Sequence, residues 1–394
     1  MHIAFLQFAI HPTPDYRKIA SELRYRGHKA WLGTPNEAGQ LAWHDGERVV
    51  AVQRGPMRLP DKLLRTRILA LILRRVISFC FIVRIRRFLR QSRPEIVQVN
   101  PASVLWFWVL PLLMPGQMAF VVDFRQIGQR DTTHFMGKLK NRLRNWRIKI
   151  YSRFIYHHAC FLHRAGAMKI LGNEWPKWGS VVPLGVDLSF LTSNYTVPAS
   201  MGNDKLVRFL YLGGISKIRQ LERILFASQW MLAVSDKFEI VFMGTDKSQG
   251  FYHSLVNKLG LSFTVKLKPP VRYEDVPEVV SIYDVALAYV PNQPADWRYH
   301  PTLKVLEYRA LGMPIIATDN KPNAEVVVDG VNGLLVQNSV ESLAEGMLHF
   351  VKKPEFLERC KANAIKMRQG KTWSEIAVMY EQKVYYPLLN NSFD

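Results

Sequence analysis

The chain has 394 residues, 48% of them hydrophobic, and a formal net charge of +21. That is enough material for two α/β domains with their own cores. Cys80, Cys160 and Cys360 lie far apart without metal-ligand spacing, so a disulfide framework and a zinc module are excluded, and buried thiols in a reducing compartment are expected.

From the N-terminus, the apolar run 1–10 has no basic residue before it and is closed by His11-Pro12, so it reads as a first strand (3–8) and not as a secretory signal. Further strands are expected at 30–32, 96–99, 119–122 and 181–182. Residues 96–122 carry no charge, but Pro101, Pro111, Pro115 and Gly116 divide them into strand, helix, turn and strand instead of a membrane span. The polar stretch 193–205 reads as a linker. Beyond it, strands are expected at 207–212, 239–243, 264–267, 285–289, 315–317 and 334–336. Strand and helix alternate throughout, which predicts an α/β protein of two Rossmann-like doubly wound domains facing a cleft, with ligands beyond the carboxyl ends of the strands. The expected division is 1–192, 193–370 and a closing helix at 371–394.

The most informative segment is 300–336. Thr302 is placed to cap a helix of roughly ten residues, with Gly312 at C′ and Pro314 beyond it. Leu303, Leu306 and Ala310 share one face of that helix, and Lys304 and Glu307 lie three apart on another. A helix N-terminus offers free N–H groups and a positive dipole end to an anion; Lys304 adds a full charge, and Glu307 can accept bonds from vicinal hydroxyls. Diphosphate plus sugar hydroxyls describes a nucleotide sugar. The alternative is an ordinary solvated i,i+3 ion pair. After the 207–212 strand, Gly213 and Gly214 allow close backbone approach to an anion within reach of Arg219, whose own alternative is a surface position on the next helix.

This segment resembles the donor-binding signature of GT-B glycosyltransferases, especially the retaining family 4 group. Val182-Pro-Leu-Gly-Val-Asp187, Tyr211-Leu-Gly-Gly-Ile-Ser-Lys-Ile-Arg219, Arg24-Tyr-Arg-Gly-His-Lys-Ala-Trp31 and Thr372-Trp-Ser-Glu-Ile-Ala377 are similar to further motifs of that family, in the same order. The resemblance implies a metal-independent transferase, retaining favoured over inverting, that uses a UDP- or GDP-sugar and no other cofactor. Its implied donor-binding set is Gly213, Gly214, Arg219, Gly244, Val271, Tyr299, Thr302, Leu303, Lys304 and Glu307, with Arg219 and Lys304 stabilising the leaving diphosphate. Two departures stand out. Gly214 replaces the family's usual arginine, and Tyr299, eight positions before Glu307, replaces its first glutamate; Asp296 is a nearby candidate substitute, with an ordinary loop residue as its alternative. An inverting enzyme would need a carboxylate base, and Asp123, at the end of the 119–122 strand, is the catalytic candidate, followed by Asp15; helix capping or a structural salt bridge is the alternative for each.

Residues 1–185 hold 30 Lys and Arg against 10 Asp and Glu, whereas 186–394 hold 23 against 22. Nearly all the excess charge is therefore in the first half. Arg65, Arg67, Arg74, Arg75, Arg84, Arg86, Arg87, Arg90 and Arg93 are interleaved with apolar runs, and 138–153 repeats the mixture. This reads as a peripheral surface on the anionic cytoplasmic face of the plasma membrane, where a lipid-linked glycan acceptor would be met. No zinc-finger or RNP motif accompanies the charge, so nucleic acid is not the expected partner. A basic nucleic-acid-binding protein and a GT-B scaffold without catalysis are the rival readings.

Overall fold

The computed structural model describes residues 1–7, 14–35, 40–53, 67–100, 108–114, 116, 118–125, 135–193, 206–291, 295–299 and 302–390. The expectations on His11, Arg65, Pro101, Pro115, His300 and the linker at 194–205 fall outside these residues, as do the side chains of 67–75 and of Asp296. The chain forms two compact units, Met1–Leu184 with Trp373–Asp394, and Gly185–Thr372.

In chain order the first unit contains β1 (His2–Leu6), α1 (Pro14–Tyr25), β2 (Lys29–Pro35), β3 (Leu41–Asp45), β4 (Arg48–Gln53), α2 (Arg67–Ser92), β5 (Ile96–Val99), α3 (Val109–Leu112), β6 (Ala119–Phe124), α4 (Phe135–Phe154), β7 (His158–Phe161), α5 (Arg164–Leu171) and β8 (Gly179–Val181). Its sheet runs β4-β3-β2-β1-β5-β6-β7-β8, parallel except for β3 and β4, which join antiparallel beside β2. The central parallel strands are near-continuous apolar runs because both of their faces are buried; all six residues of β6 are buried. Within 96–122 the described residues include a strand, a short helix and the start of a second strand, and no helix among the described residues is long and apolar enough to cross a membrane. The β3–β4 hairpin and β7 go beyond the expected strands. Of the cysteines, Cys160 and Cys360 are buried, whereas Cys80 is exposed on α2, contrary to expectation.

The second unit adds α6 (Leu188–Thr192), β9 (Val207–Leu212), α7 (Glu222–Leu232), β10 (Phe238–Met243), α8 (Phe251–Lys258), β11 (Val265–Lys268), α9 (Val276–Val279), β12 (Val285–Ala288), α10 (Leu303–Leu311), β13 (Ile315–Thr318), α11 (Lys321–Ala324), β14 (Gly333–Val336), α12 (Val340–Lys352) and α13 (Pro354–Lys366). Its parallel sheet runs β11-β10-β9-β12-β13-β14. Numbered from its own first strand, that is the 3-2-1-4-5-6 order of the dinucleotide-binding fold, whose topological switch point lies between β9 and β12. A ligand belongs at the carboxyl ends of these two strands.

Residues 373–390 return to complete the first unit: α14 (Trp373–Tyr380) packs on α1 and continues through a wide turn, Glu381–Tyr385, into α15 (Tyr386–Asn390). Buried Glu381 binds both Arg26 and His28 of the Arg26-Gly27-His28 turn, Arg26 through two bonds of 2.7 and 2.8 Å and His28 Nε2 at 2.7 Å. Gly27 sits at φ +85°, where a side chain would be strained, so the turn needs its glycine. Burial pushes the Glu381 carboxyl up, but the bonds from Arg26 and His28 outweigh it and hold the group below its ordinary range.

His158, at the start of β7, faces Ser180 Oγ at 2.9 Å, and burial pushes it down to about 4 from its ordinary 6.5. The folded state therefore resists a proton that the unfolded chain accepts. Its contribution to stability is complete above about pH 6.5 and is lost as pH falls towards 4, up to about 3 kcal/mol. Chemical denaturation from pH 7 to 4 is expected to show a flatter profile for His158→Gln than for the wild type; parallel profiles would contradict the assignment.

Candidate functional site

The site at the carboxyl end of β9 is built on two close backbone approaches. Gly213 follows β9 at φ +143°, and Lys304 Nζ lies 3.4 Å from where a Cβ on Gly213 would sit. Gly244 follows β10 at φ +155°, and a Cβ there would collide with the Gly213 carbonyl oxygen. Both positions demand glycine for conformation, and Gly244 for space as well. A Cβ on Gly214, by contrast, would meet nothing within 4 Å, so the place of the family's arginine is open.

Helix α10 supplies the opposite wall. Thr302 is its N-cap residue, but the hydroxyl makes no cap bond and is shielded from solvent without a partner, so the first-turn N–H groups have no side-chain cap. Gly312 ends the helix in the left-handed conformation at φ +77°, as expected. Of the expected core face of Leu303, Leu306 and Ala310, only Ala310 is fully buried; Val305, Tyr308 and Leu311 are buried beside it, whereas Leu303 and Leu306 are only partly so. Tyr308 decides the rotation, because its hydroxyl accepts the Leu212 N–H at 2.8 Å and pins the helix to the end of β9.

That rotation turns Lys304 onto the glycine loop. Its ammonium lies 3.7 Å from the Tyr211 ring centroid. Desolvation holds Lys304 well below its ordinary pKa, repulsion from Arg219 adds to this, and the Glu307 charge opposes both. Arg219, in the 3-10 turn Lys217–Arg219, packs its guanidinium over Trp297 at 4.5 Å. Two cations that repel each other across a glycine loop, beside an uncapped helix N-terminus, form a site that an anion relieves. Glu307 is 7% exposed and its Oε1 accepts the Tyr273 hydroxyl at 2.6 Å, so it is not half of a solvated surface pair.

The structure thus gathers Gly213, Gly244, Arg219, Lys304, Thr302 and Glu307 about one strand end. Val271 lies in the loop after β11 and packs, partly buried, into the same apolar cluster as Leu212 and Leu306. Tyr299, half-buried, directly follows the Ala295–Arg298 turn that carries Trp297. Sequence reasoning missed Tyr211, Tyr273 and Trp297. Their partners are remote in sequence, and only Tyr211, inside the glycine-loop motif, left a local signal.

Asp123 is corrected in placement. It does not end its strand facing open space but is 1% exposed, and its Oδ2 accepts from Gln98 Nε2 at 2.7 Å, Arg125 Nε at 3.1 Å and the Tyr380 hydroxyl at 2.7 Å. Arg125 also bonds the Tyr380 oxygen and lies 4.0 Å from Asp15, while Tyr385 donates to Gln98 Oε1 at 2.6 Å. Burial opposes the charge on Arg125, but Asp123, then Tyr380 and Asp15, raise its pKa well above the ordinary value. Burial raises that of Asp15 despite Arg125. This is a buried, internally paired network belonging to the first unit.

The two parallel-sheet units define the GT-B fold. Residues 201–367 match the model of the family described as glycosyl transferases group 1. Among individual proteins, the chain is 28% identical over 146 residues to the putative glycosyltransferase EpsD of Bacillus subtilis, covering 36% of each chain, so it spans about a third of that relative's length. The glycosyltransferase from Rickettsia africae superposes with a TM-score of 0.71 at 13% identity over 99% of both chains. Anabaena Alr3699/HepE in complex with UDP-glucose superposes with a TM-score of 0.65 at 12% identity, over 98% of this chain and 99% of that one.

Proposed function

We propose that the protein is a glycosyltransferase that moves a sugar from a UDP- or GDP-sugar to a lipid-linked saccharide, in polysaccharide, glycolipid or envelope-glycan synthesis. The observation that carries this is the convergence of Lys304, Arg219 and the uncapped α10 N-terminus on Gly213, with Glu307 one turn away. A solved neighbour of the same fold holds UDP-glucose, which favours a uridine donor. Charge developing on the departing diphosphate meets two protein cations and a helix dipole, which supports a route needing no metal. The commitment of Asp123 to three donors favours retention, since an inverting enzyme needs a free base. The free thiols of all three cysteines fit a reducing, cytoplasmic setting.

Calorimetric titration with UDP, GDP, ADP and CMP and their sugar conjugates, followed by slow hydrolysis of each donor, tests the reading. One nucleotide is expected to bind with a dissociation constant of roughly 1 μM to 1 mM. Failure of every nucleotide to bind overturns the proposal. Binding without hydrolysis or transfer to any glycolipid favours the scaffold that the open position at Gly214 and the tyrosine at 299 suggest.

A further inference from the structure

Helix α4 turns its large apolar side chains outward. At about 100° per residue, Phe135, Leu139, Leu143, Trp146 and Ile150 share an arc of roughly 80°. Within it Phe135 is 77% exposed, Leu143 55% and Trp146 62%, while the face turned to the body buries Asn141, Ile148 and Ser152. A contiguous apolar stripe of this kind marks an interaction surface. Its edges are charged with one sign: Lys138, Arg142, Lys149 and Arg153 on one side, Lys140, Arg144 and Arg147 on the other. The helix contains no acidic residue. Beside it a groove of about 430 Å³ is lined by Lys138, Arg142, Asn141 and Asn145 of α4 and by Lys169 of α5.

We propose that α4 lies in the plane of an anionic bilayer, its stripe among the acyl chains, its basic flanks on the headgroups and one lipid phosphate in the groove beside Lys169. An apolar face between two basic flanks is the composition of an interfacial helix, and the +20 charge of residues 1–185 draws that half to an anionic surface. Charge complementarity also selects against a second copy of the chain, since pairing two such helices would bring like charges together. The docking does not depend on the donor chemistry.

The test is flotation of the full chain with vesicles of phosphatidylcholine alone or with added phosphatidylglycerol, with nucleotide binding measured in parallel as a check on the fold. Flotation is expected only with the anionic lipid. The pair Leu143→Ser and Trp146→Ser is expected to lower partitioning at least about 10-fold. The triple Lys138→Gln, Arg142→Gln, Lys169→Gln is expected to lower it on the order of 100-fold, since each charge near the surface counts for about a factor of five. Equal binding to neutral vesicles, unaltered flotation of either variant, or a dimer in solution that the serine variants dissociate would overturn the docking. Circular dichroism of both variants confirms that any loss is not unfolding.

Discussion

Lys304→Ala is expected to lower kcat/KM for the nucleotide-sugar donor by roughly 10²–10³-fold, the usual scale for removing one preorganised charge that faces a developing anion. The group is held in a desolvated place against Tyr211, beside a second cation, where it costs the unliganded protein stability. Such an arrangement is retained only if something negative arrives. The denaturation midpoint of the variant is therefore expected to stay level or rise, while transfer collapses. Steady-state kinetics with varied donor, beside a urea melt, gives both readings, and a variant that loses stability but keeps kcat/KM would make Lys304 a packing residue.

Asp123→Ala is expected to cost about 3–5 kcal/mol of unfolding free energy, because it leaves the Arg125 guanidinium buried without its carboxylate. Urea unfolding read by intrinsic fluorescence measures the loss. The same variant decides between the two roles the residue can have. A general base would lose kcat and keep its stability, whereas a network anchor loses stability first. Intact stability with abolished transfer would return Asp123 to the catalytic position expected from its place in the strand.

The second unit was largely legible in the sequence because its central strands β9, β10, β12 and β13 are largely buried and stand out as apolar runs; β9 falls where it was expected, and α10 has its expected cap residue and stop. The first unit was less legible. The β3–β4 hairpin carries an Asp45-Gly46 turn with Gly46 at φ +65°, but its partly exposed β4 has Val49, Val50, Ala51 and Val52 in one unbroken apolar run, without the in-and-out alternation of a half-buried strand. β7 is four residues long and begins on His158, too little for an alternation to register. At the site, residue types and order could be read, but rotation could not. The face of α10 that packs inward is set by the bond from Leu212 to Tyr308, 96 residues apart. The same holds for Asp123, where position along the strand was readable but its enclosure by Tyr380, 257 residues away, was not.

That long-range closure has a consequence for biosynthesis. Residues 185–372 are contiguous and hold their whole sheet, so the second unit can fold as soon as it leaves the ribosome. The first unit, although translated earlier, lacks the Tyr380 bond to Asp123, the Tyr385 bond to Gln98 and the Glu381 bonds to Arg26 until those residues emerge. The half of the chain made first is thus the half completed last, and its incompletely paired polar core is what a nascent-chain chaperone would meet.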